Sequence, residues 1–126
     1  MLNAAPLAAT IAVRDLDAAK DFYNNKLGLT ISRDMAPEAF MCEAGNGSMM
    51  LVYRRPNHDP SAATIASFQV SDARKTVDDL KGRGVTFEDY DLPGIKTENN
   101  VASMPDGTKA AWFTDPDGNI IAVGEM

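Results

Sequence analysis

The sequence predicts an α+β fold made of two similar strand–helix–strand–strand–strand modules, whose curved mixed sheets surround a shared cleft. The first observation is that strand-like and helix-like segments follow in the same order in both halves of the chain. The second is that cap and turn residues recur in order: Val13 and Asp15 as Val70 and Asp72, Gly28 as Gly84, and Gly47 as Gly118. The third is the length of 126 residues, which suits one compact domain. We therefore interpret residues 1–126 as a single domain that arose by duplication.

The first module is predicted to cover about residues 5–54. Its first strand spans residues 8–13, which are short and rich in β-branched side chains. Asp15 is placed to cap a helix, and Gly28 to end it. The apolar positions of this helix follow at helical spacing: Leu16, Ala19, Phe22 or Tyr23, and Leu27. The remaining strands are predicted over residues 29–34, 40–44 and 48–54, with a glycine-rich turn at 45–47.

A linker with two prolines covers residues 55–63, and the second module covers residues 64–126. Its first strand is predicted over residues 64–70, followed by a helix that Ser71 or Asp72 caps. Further strands are predicted over residues 85–88, 101–104, 109–114 and 120–125. Residues 89–100 are predicted to be irregular.

Charge and cysteine content narrow the functional classes. The net charge of −6 argues against nucleic-acid binding, which needs clustered Lys and Arg. A single cysteine, Cys42, excludes an intrachain disulfide and suits a reducing compartment. The N-terminal residues lack the features of a signal peptide, and no stretch approaches the length of a membrane span. These features predict a cytoplasmic protein that contacts neither nucleic acid nor membrane.

Two motifs frame the chain. The first is IAVRDL at residues 11–16, followed by FY at 22–23 and LGL at 27–29. The second is WFTDPDGN at residues 112–119, a strong turn signal before the last strand. Together they resemble the opening and closing motifs of the glyoxalase/bleomycin-resistance/extradiol dioxygenase superfamily, also called vicinal oxygen chelate. The resemblance implies paired βαβββ modules, a ligand cavity on the concave sheet, and a homodimer.

The resemblance also indicates where a metal would bind. Enzymes of the superfamily hold a divalent ion with His or Glu from the first and last strands of each module. The corresponding positions are Ala8, Met50 (uncertain by one residue), Ile65 and Ala122. None of these side chains offers the carboxylate or imidazole that such ions need. We therefore expect neither a metal site nor a cofactor, and we interpret His58 as a linker residue in solvent.

Strand alternation and the resemblance together indicate a ligand-binding set. The predicted residues are Ala8, Thr10, Met50, Val52, Ile65, Ser67, Trp112 and Ala122. Trp112 is a candidate for stacking on an aromatic ligand, with packing under a helix or in a dimer contact as the alternatives. The set describes an apolar cleft with a few hydroxyl groups, which suits a flat or aliphatic organic molecule.

Three side chains are candidates for catalysis. Tyr53 can donate a proton to a bound carbonyl, or simply pack with its hydroxyl in water. No residue that could act as a general base stands at a recognisable sequence spacing from Cys42. An inert buried thiol is therefore favoured over a nucleophile. Glu125 can reach a pocket rim, or remain a terminal surface charge.

Three functions follow from these residues. The leading hypothesis is a metal-free small-molecule-binding protein, similar to the drug-sequestering members of the superfamily and possessing a cleft that a second subunit completes. The second is a glyoxalase-like lyase or isomerase that works without metal. The third is a protein-interaction subunit that uses the apolar cleft for contacts.

Overall fold

A computed structural model describes residues 1–126, which form two compact units, Met1–Asp59 and Pro60–Met126. Each unit contains one mixed sheet and one α-helix, which confirms the predicted α+β class. The boundary between the units falls inside the proline-containing linker. No helix is both long and apolar enough to cross a bilayer.

The first unit contains four strands. They are β1 (Ala8–Val13), β2 (Thr30–Met35), β3 (Ala39–Glu43) and β4 (Met49–Arg54). The order in the sheet is β1-β4-β3-β2, in which β1 is parallel to β4 and the other pairs are antiparallel. A tight turn at Gly45–Gly47 joins β3 to β4, and Asn46 and Gly47 adopt positive φ angles of 56° and 75° there. Asn and Gly tolerate this region of backbone space better than other residues.

Helix α1 (Leu16–Lys20) begins where Asp15 caps it, because the Asp15 carboxylate accepts a hydrogen bond of 3.0 Å from the Ala18 amide. A π-helical turn, Asp21–Lys26, continues the helix. Both Phe22 and Tyr23 are buried in this turn, and their rings meet edge to face with centroids 5.2 Å apart. The wider turn thus buries two adjacent aromatic side chains, where a regular helix favours one.

The core of the first unit lies on the sheet face that α1 covers. Alternate residues of three strands supply it, and all are almost completely buried: Ile11, Val13, Phe40, Cys42, Met50 and Val52. Leu16, Ala19, Phe22 and Tyr23 supply the helical side. The opposite face of the sheet carries no helix of this unit and is called the first open face below.

The second unit contains six strands. They are β5 (Thr64–Val70), β6 (Asp91–Leu92), β7 (Ile95–Glu98), β8 (Val101–Ser103), β9 (Lys109–Thr114) and β10 (Ile120–Glu125). The order is β5-β10-β9-β8-β7-β6, in which β5 is parallel to β10. As in the first unit, the first and last strands are therefore parallel neighbours.

Helix α2 (Ala73–Lys81) packs on β8, β9 and β10. Asp72 caps it by accepting a hydrogen bond of 3.1 Å from the Lys75 amide. The core between the helix and the sheet consists of Ala73, Val77, Val85, Phe87, Val101, Ala111, Phe113, Ile121 and Val123.

Two sequence predictions in this unit are wrong. Residues 85–88 do not form a strand; Phe87 makes only an isolated antiparallel bridge to Phe113. Residues 89–100 are not irregular, because β6 and β7 form a hairpin there with Gly94 at a positive φ of 84°. The hairpin is short and mostly polar, so it lacks the apolar alternation that reveals a half-buried strand.

Candidate functional site

The register of β1 and β4 determines which residues lie on the first open face. Ala8 is paired with Met49, Thr10 with Leu51, and Ala12 with Tyr53. Directly paired residues point to the same face of a sheet. The face therefore carries small and aliphatic side chains together with the Thr10 hydroxyl and the half-buried Tyr53.

Met50 and Val52 do not share this face, which corrects the predicted set. They are paired with Ala9 and Ile11, and both are buried against α1. Strand β4 thus presents its odd-numbered residues to the open face. A one-residue error in strand register moves every side chain to the opposite face, and the short glycine-rich turn before β4 concealed this register.

The open face of the second sheet is defined by β5, β10 and β9. Ser67, Ala122 and Trp112 are paired across the three strands. A second row, Gln69, Gly124 and Ala110, lies two residues further along. Ile65 is 40% exposed and lies at a register shift in the β5–β10 pairing. Three of the predicted residues therefore share one face: Ser67, Trp112 and Ala122.

Trp112 is held in place by a second aromatic residue, Tyr90. Their ring centroids are 5.4 Å apart at an interplanar angle of 77°, an edge-to-face contact. Two hydrogen bonds with Thr97 hold the backbone of Tyr90. The Tyr90 amide donates to the Thr97 side-chain Oγ1 at 2.8 Å, and the Thr97 amide donates to the Tyr90 carbonyl at 2.9 Å. We call this surface the aromatic face: Ser67, Gln69, Tyr90, Ala110, Trp112, Ala122 and Gly124.

The polar groups of the aromatic face have no hydrogen-bond partner within the chain. This holds for the side chains of Ser67 and Gln69 and for the Tyr90 hydroxyl. Burial, together with the negative charge of Glu88, raises the pKa of Tyr90, so the phenol keeps its proton at neutral pH and can donate a hydrogen bond. The face thus offers one amide and two hydroxyls beside an apolar floor.

Cys42 lies in the core of the first unit, on the face opposite Tyr53. Burial raises the pKa of its thiol to about 11. A thiol that stays protonated and inaccessible is a poor nucleophile. The structure therefore agrees with the interpretation of Cys42 as a packing residue.

Glu125 is not a free surface charge. Its Oε2 accepts a hydrogen bond of 2.9 Å from the Ala73 amide in the first turn of α2. Its Oε1 accepts one of 3.0 Å from the Lys109 amide at the start of β9. The carboxylate thus joins β9, β10 and the helix N-terminus, where negative charge is favourable.

The residues at the metal positions of the superfamily do not fit a divalent ion. Of the four predicted positions, Ala8 lies on the first open face beside Met49, and Met50 lies on the buried face. Ile65 and Ala122 are the corresponding positions on β5 and β10. Alkyl and thioether groups cannot replace carboxylate or imidazole ligands. No group of three or more His, Cys, Asp or Glu side chains comes together anywhere in the chain. His58 is half-buried in the linker, where its amide donates to the Arg55 carbonyl at 2.9 Å.

Tyr90 is the main residue of the aromatic face that sequence reasoning missed. It lies in the segment that was predicted to be irregular, and its contact with Trp112 spans a long stretch of chain. No local pattern reports such a contact. Gln69 and Gly124, in contrast, follow from strand alternation once Ser67 and Ala122 are placed.

Comparison with known proteins shows one family. The family model described as Glyoxalase/Bleomycin resistance protein/Dioxygenase superfamily matches residues 6–123. A superfamily member from Sphaerobacter thermophilus is 28% identical, with full coverage of both chains and a TM-score of 0.77. A glyoxalase family protein from Enterococcus faecalis is 18% identical, with coverage of 99% and 100% and a TM-score of 0.74. No curated protein matches the chain.

A structure described as lactoylglutathione lyase from Agrobacterium tumefaciens is also similar. It is 22% identical, covers 97% of this chain and 93% of its own, and gives a TM-score of 0.69. At this identity the likeness concerns the fold alone. The function must therefore be argued from the side chains of the site.

Proposed function

Since the chain belongs to the Glyoxalase/Bleomycin resistance protein/Dioxygenase superfamily, we propose that it binds a small, flat organic molecule on its aromatic face without a metal ion. One observation carries the proposal: a fixed Trp112–Tyr90 pair borders a floor of small side chains, with unpartnered polar groups beside it. Binding without turnover withdraws the molecule from solution, so the proposed role is sequestration.

The floor suits a planar ligand because its side chains are short. Ala110, Ala122 and Gly124 lie on adjacent strands about 4.8 Å apart, which is the usual strand spacing. A flat ring laid across the half-buried Ala110 and Gly124 removes their apolar surface from water and lies beside the indole of Trp112, whereas Ala122 is already buried. Such aromatic contacts contribute about 0.5–1.5 kcal/mol beyond the buried area.

The polar groups give the ligand its orientation. The Ser67 hydroxyl and the Gln69 amide lie on β5, at the side of the floor opposite Trp112. A ligand with a carbonyl, hydroxyl or amide substituent can pair with them, and the protonated Tyr90 supplies a donor near the indole. Small-molecule sites typically combine an apolar lining with a few such polar groups.

Native mass spectrometry with elemental analysis of the same sample is the first test. We expect a metal-free homodimer that carries an organic adduct, whose mass would identify the ligand. A stoichiometric transition metal would overturn the proposal, because it would require donors that the aromatic face does not contain. An empty metal-free protein would then be screened with planar compounds.

Fluorescence provides the second test, since Trp112 is the only tryptophan of the chain. A ligand on the aromatic face should change the indole emission in a saturable way. The matched variants are Gly124→Val, which fills the floor, and Gly45→Val in the β3–β4 turn. An added Cβ at Gly124 meets only the Ala110 Cβ, at 4.0 Å, and one at Gly45 meets nothing within 4 Å.

We expect Gly124→Val to abolish the fluorescence response and Gly45→Val to retain it. Equal binding by both variants would show that the ligand lies elsewhere. Loss of binding by both would indicate a general effect on folding, which far-ultraviolet circular dichroism of the two variants would detect.

A further inference from the structure

A second concave site lies at the edge of the second sheet, where the β6–β7 hairpin meets β8. It has a volume of about 420 Å³, within the range of roughly 300–1,000 Å³ that is common for small-molecule sites. We call it the edge pocket; its lining residues are Leu92, Gly94, Ile95, Lys96, Glu98, Val101 and Ser103. None of them belongs to the aromatic face, so this inference is independent of the proposed function.

The edge pocket contains one positive and one negative charge. Lys96 and Glu98 are two residues apart on β7 and therefore point to the same face. Neither side chain forms an ion pair or a hydrogen bond within the chain. The Ser103 hydroxyl is also without a partner. Both charges and a neutral donor are thus available to a ligand.

The remaining lining is apolar and partly open to solvent. Leu92 is 56% exposed at the tip of the β6–β7 hairpin, and its pairing partner Ile95 is half-buried. Val101, paired with Glu98, is buried at the base. A ligand with an aliphatic portion would shield the exposed leucine from water, which is favourable at about 25 cal/mol per Å² of apolar area.

The backbone around the pocket is held in place from α2. The Arg74 guanidinium donates to the carbonyls of Glu98 and Asn99, at 3.1 and 2.8 Å. The Lys81 ammonium donates to the Asn100 side-chain oxygen at 2.7 Å, and the Asn100 amide donates to Asp89 at 3.1 Å. The turn between β7 and β8 is thereby fixed before any ligand binds, which reduces the entropy that binding would cost.

We propose that the edge pocket binds an amphipathic zwitterion, the chemical class of free apolar α-amino acids. The ligand carboxylate pairs with Lys96 and Ser103, its ammonium pairs with Glu98, and its aliphatic side chain contacts Leu92 and Ile95. A simple anion would pair with Lys96 and be repelled by Glu98, and a simple amine would meet the reverse. A ligand with both charges satisfies both side chains, although Asp91, paired with Lys96 across β6 and β7, competes for the ammonium of Lys96.

The test uses the full chain, labelled with ¹⁵N, and titrations followed by amide chemical shifts. The probes are L-leucine, 4-methylpentanoate, which lacks the ammonium, and 3-methylbutylamine, which lacks the carboxylate. We expect saturable shifts with L-leucine at residues 92–103, with an affinity on the order of 1 mM, because exposed charge pairs contribute little. Each of the other two probes should bind about two- to fivefold more weakly.

Variants separate the pocket from unspecific charge effects. Lys96→Met and Glu98→Gln should each weaken L-leucine binding about two- to fivefold, whereas Lys75→Met, which removes an exposed lysine paired with Asp79 on α2, should not. No shift with L-leucine would overturn the proposal. Equal shifts with all three probes, or shifts outside residues 92–103, would overturn it as well.

Discussion

Replacing Glu125 should reveal whether this carboxylate supports the fold or takes part in chemistry. In Glu125→Ala, the amides of Ala73 and Lys109 both lose their acceptor. In Glu125→Gln, the shape is kept, but the side-chain NH₂ group faces an amide donor on one side. Glu125→Ala therefore removes two hydrogen bonds, and Glu125→Gln removes about one hydrogen bond.

The expected magnitude follows from the type of hydrogen bond. A hydrogen bond to a charged group contributes about 1.5–3 kcal/mol when it is shielded from solvent, and a carboxylate at a helix N-terminus adds about 0.3–1 kcal/mol. Glu125 is half-buried, and its two hydrogen bonds are not independent. We therefore expect the free energy of unfolding to fall by about 3 kcal/mol in Glu125→Ala and about 1.5 kcal/mol in Glu125→Gln.

Urea unfolding followed by far-ultraviolet circular dichroism measures this change. With a slope on the order of 1.5 kcal/mol per M, the Glu125→Ala midpoint should fall by about 2 M. The control is Glu43→Ala, an exposed carboxylate at the end of β3, which should change stability by less than about 0.5 kcal/mol. Equal stability of Glu125→Ala and Glu43→Ala would refute the anchoring role and return Glu125 to the catalytic candidates.

Three further predictions concern the turn before β10, the buried thiol and an ion pair. Asp115 accepts hydrogen bonds from two backbone amides of its turn and from the Asn119 side chain, so Asp115→Ala should cost about 3 kcal/mol in urea unfolding. Cys42, with a thiol pKa of about 11, should react with iodoacetamide at pH 7.5 at least about 100-fold more slowly in the native than in the unfolded protein; equal rates would contradict its burial. Lys20 donates to Asp34 at 2.7 Å and lowers the pKa of that carboxyl below 3.8. Because this folded pKa is depressed, the stabilisation is present above pH 3.8 and is lost as the pH falls through the lowered value. In Lys20→Met the carboxyl resonance of Asp34 should titrate at higher pH, and an unchanged pKa would exclude the ion pair in solution.

Features that depend on neighbouring residues could be predicted from the sequence. Asp15 and Asp72 cap their helices as expected, since a cap needs only a short side chain and a free amide three residues later. The turn at residues 115–119 is equally local, because Asp115 bonds to amides within the same motif. These motifs also carried the family resemblance.

Features that depend on strand register or on contacts between distant residues could not be predicted from the sequence. The sheet face to which Met50 and Val52 point depends on the residue at which β4 begins. Alternation alone cannot identify that first residue after a short glycine-rich turn. The Tyr90–Trp112 contact depends on how the chain returns after the β6–β7 hairpin. The apolar composition of the site and Trp112 were therefore predictable, but the contact of Trp112 with Tyr90 was not.

The proposed binding mode depends on the strand order of the second unit. In the second unit, β10 lies between β5 and β9, so Ala122 is flanked by Ser67 and Trp112 on one face. A carboxylate at this position would lie beside the indole and keep the face hydrated, because burying a charge without a partner is costly. The methyl group of Ala122 brings no such charge to the face, and Trp112 and Gly124 remain half-buried beside it. In the proposed binding mode, the alanine at residue 122 therefore favours apolar contact over metal coordination.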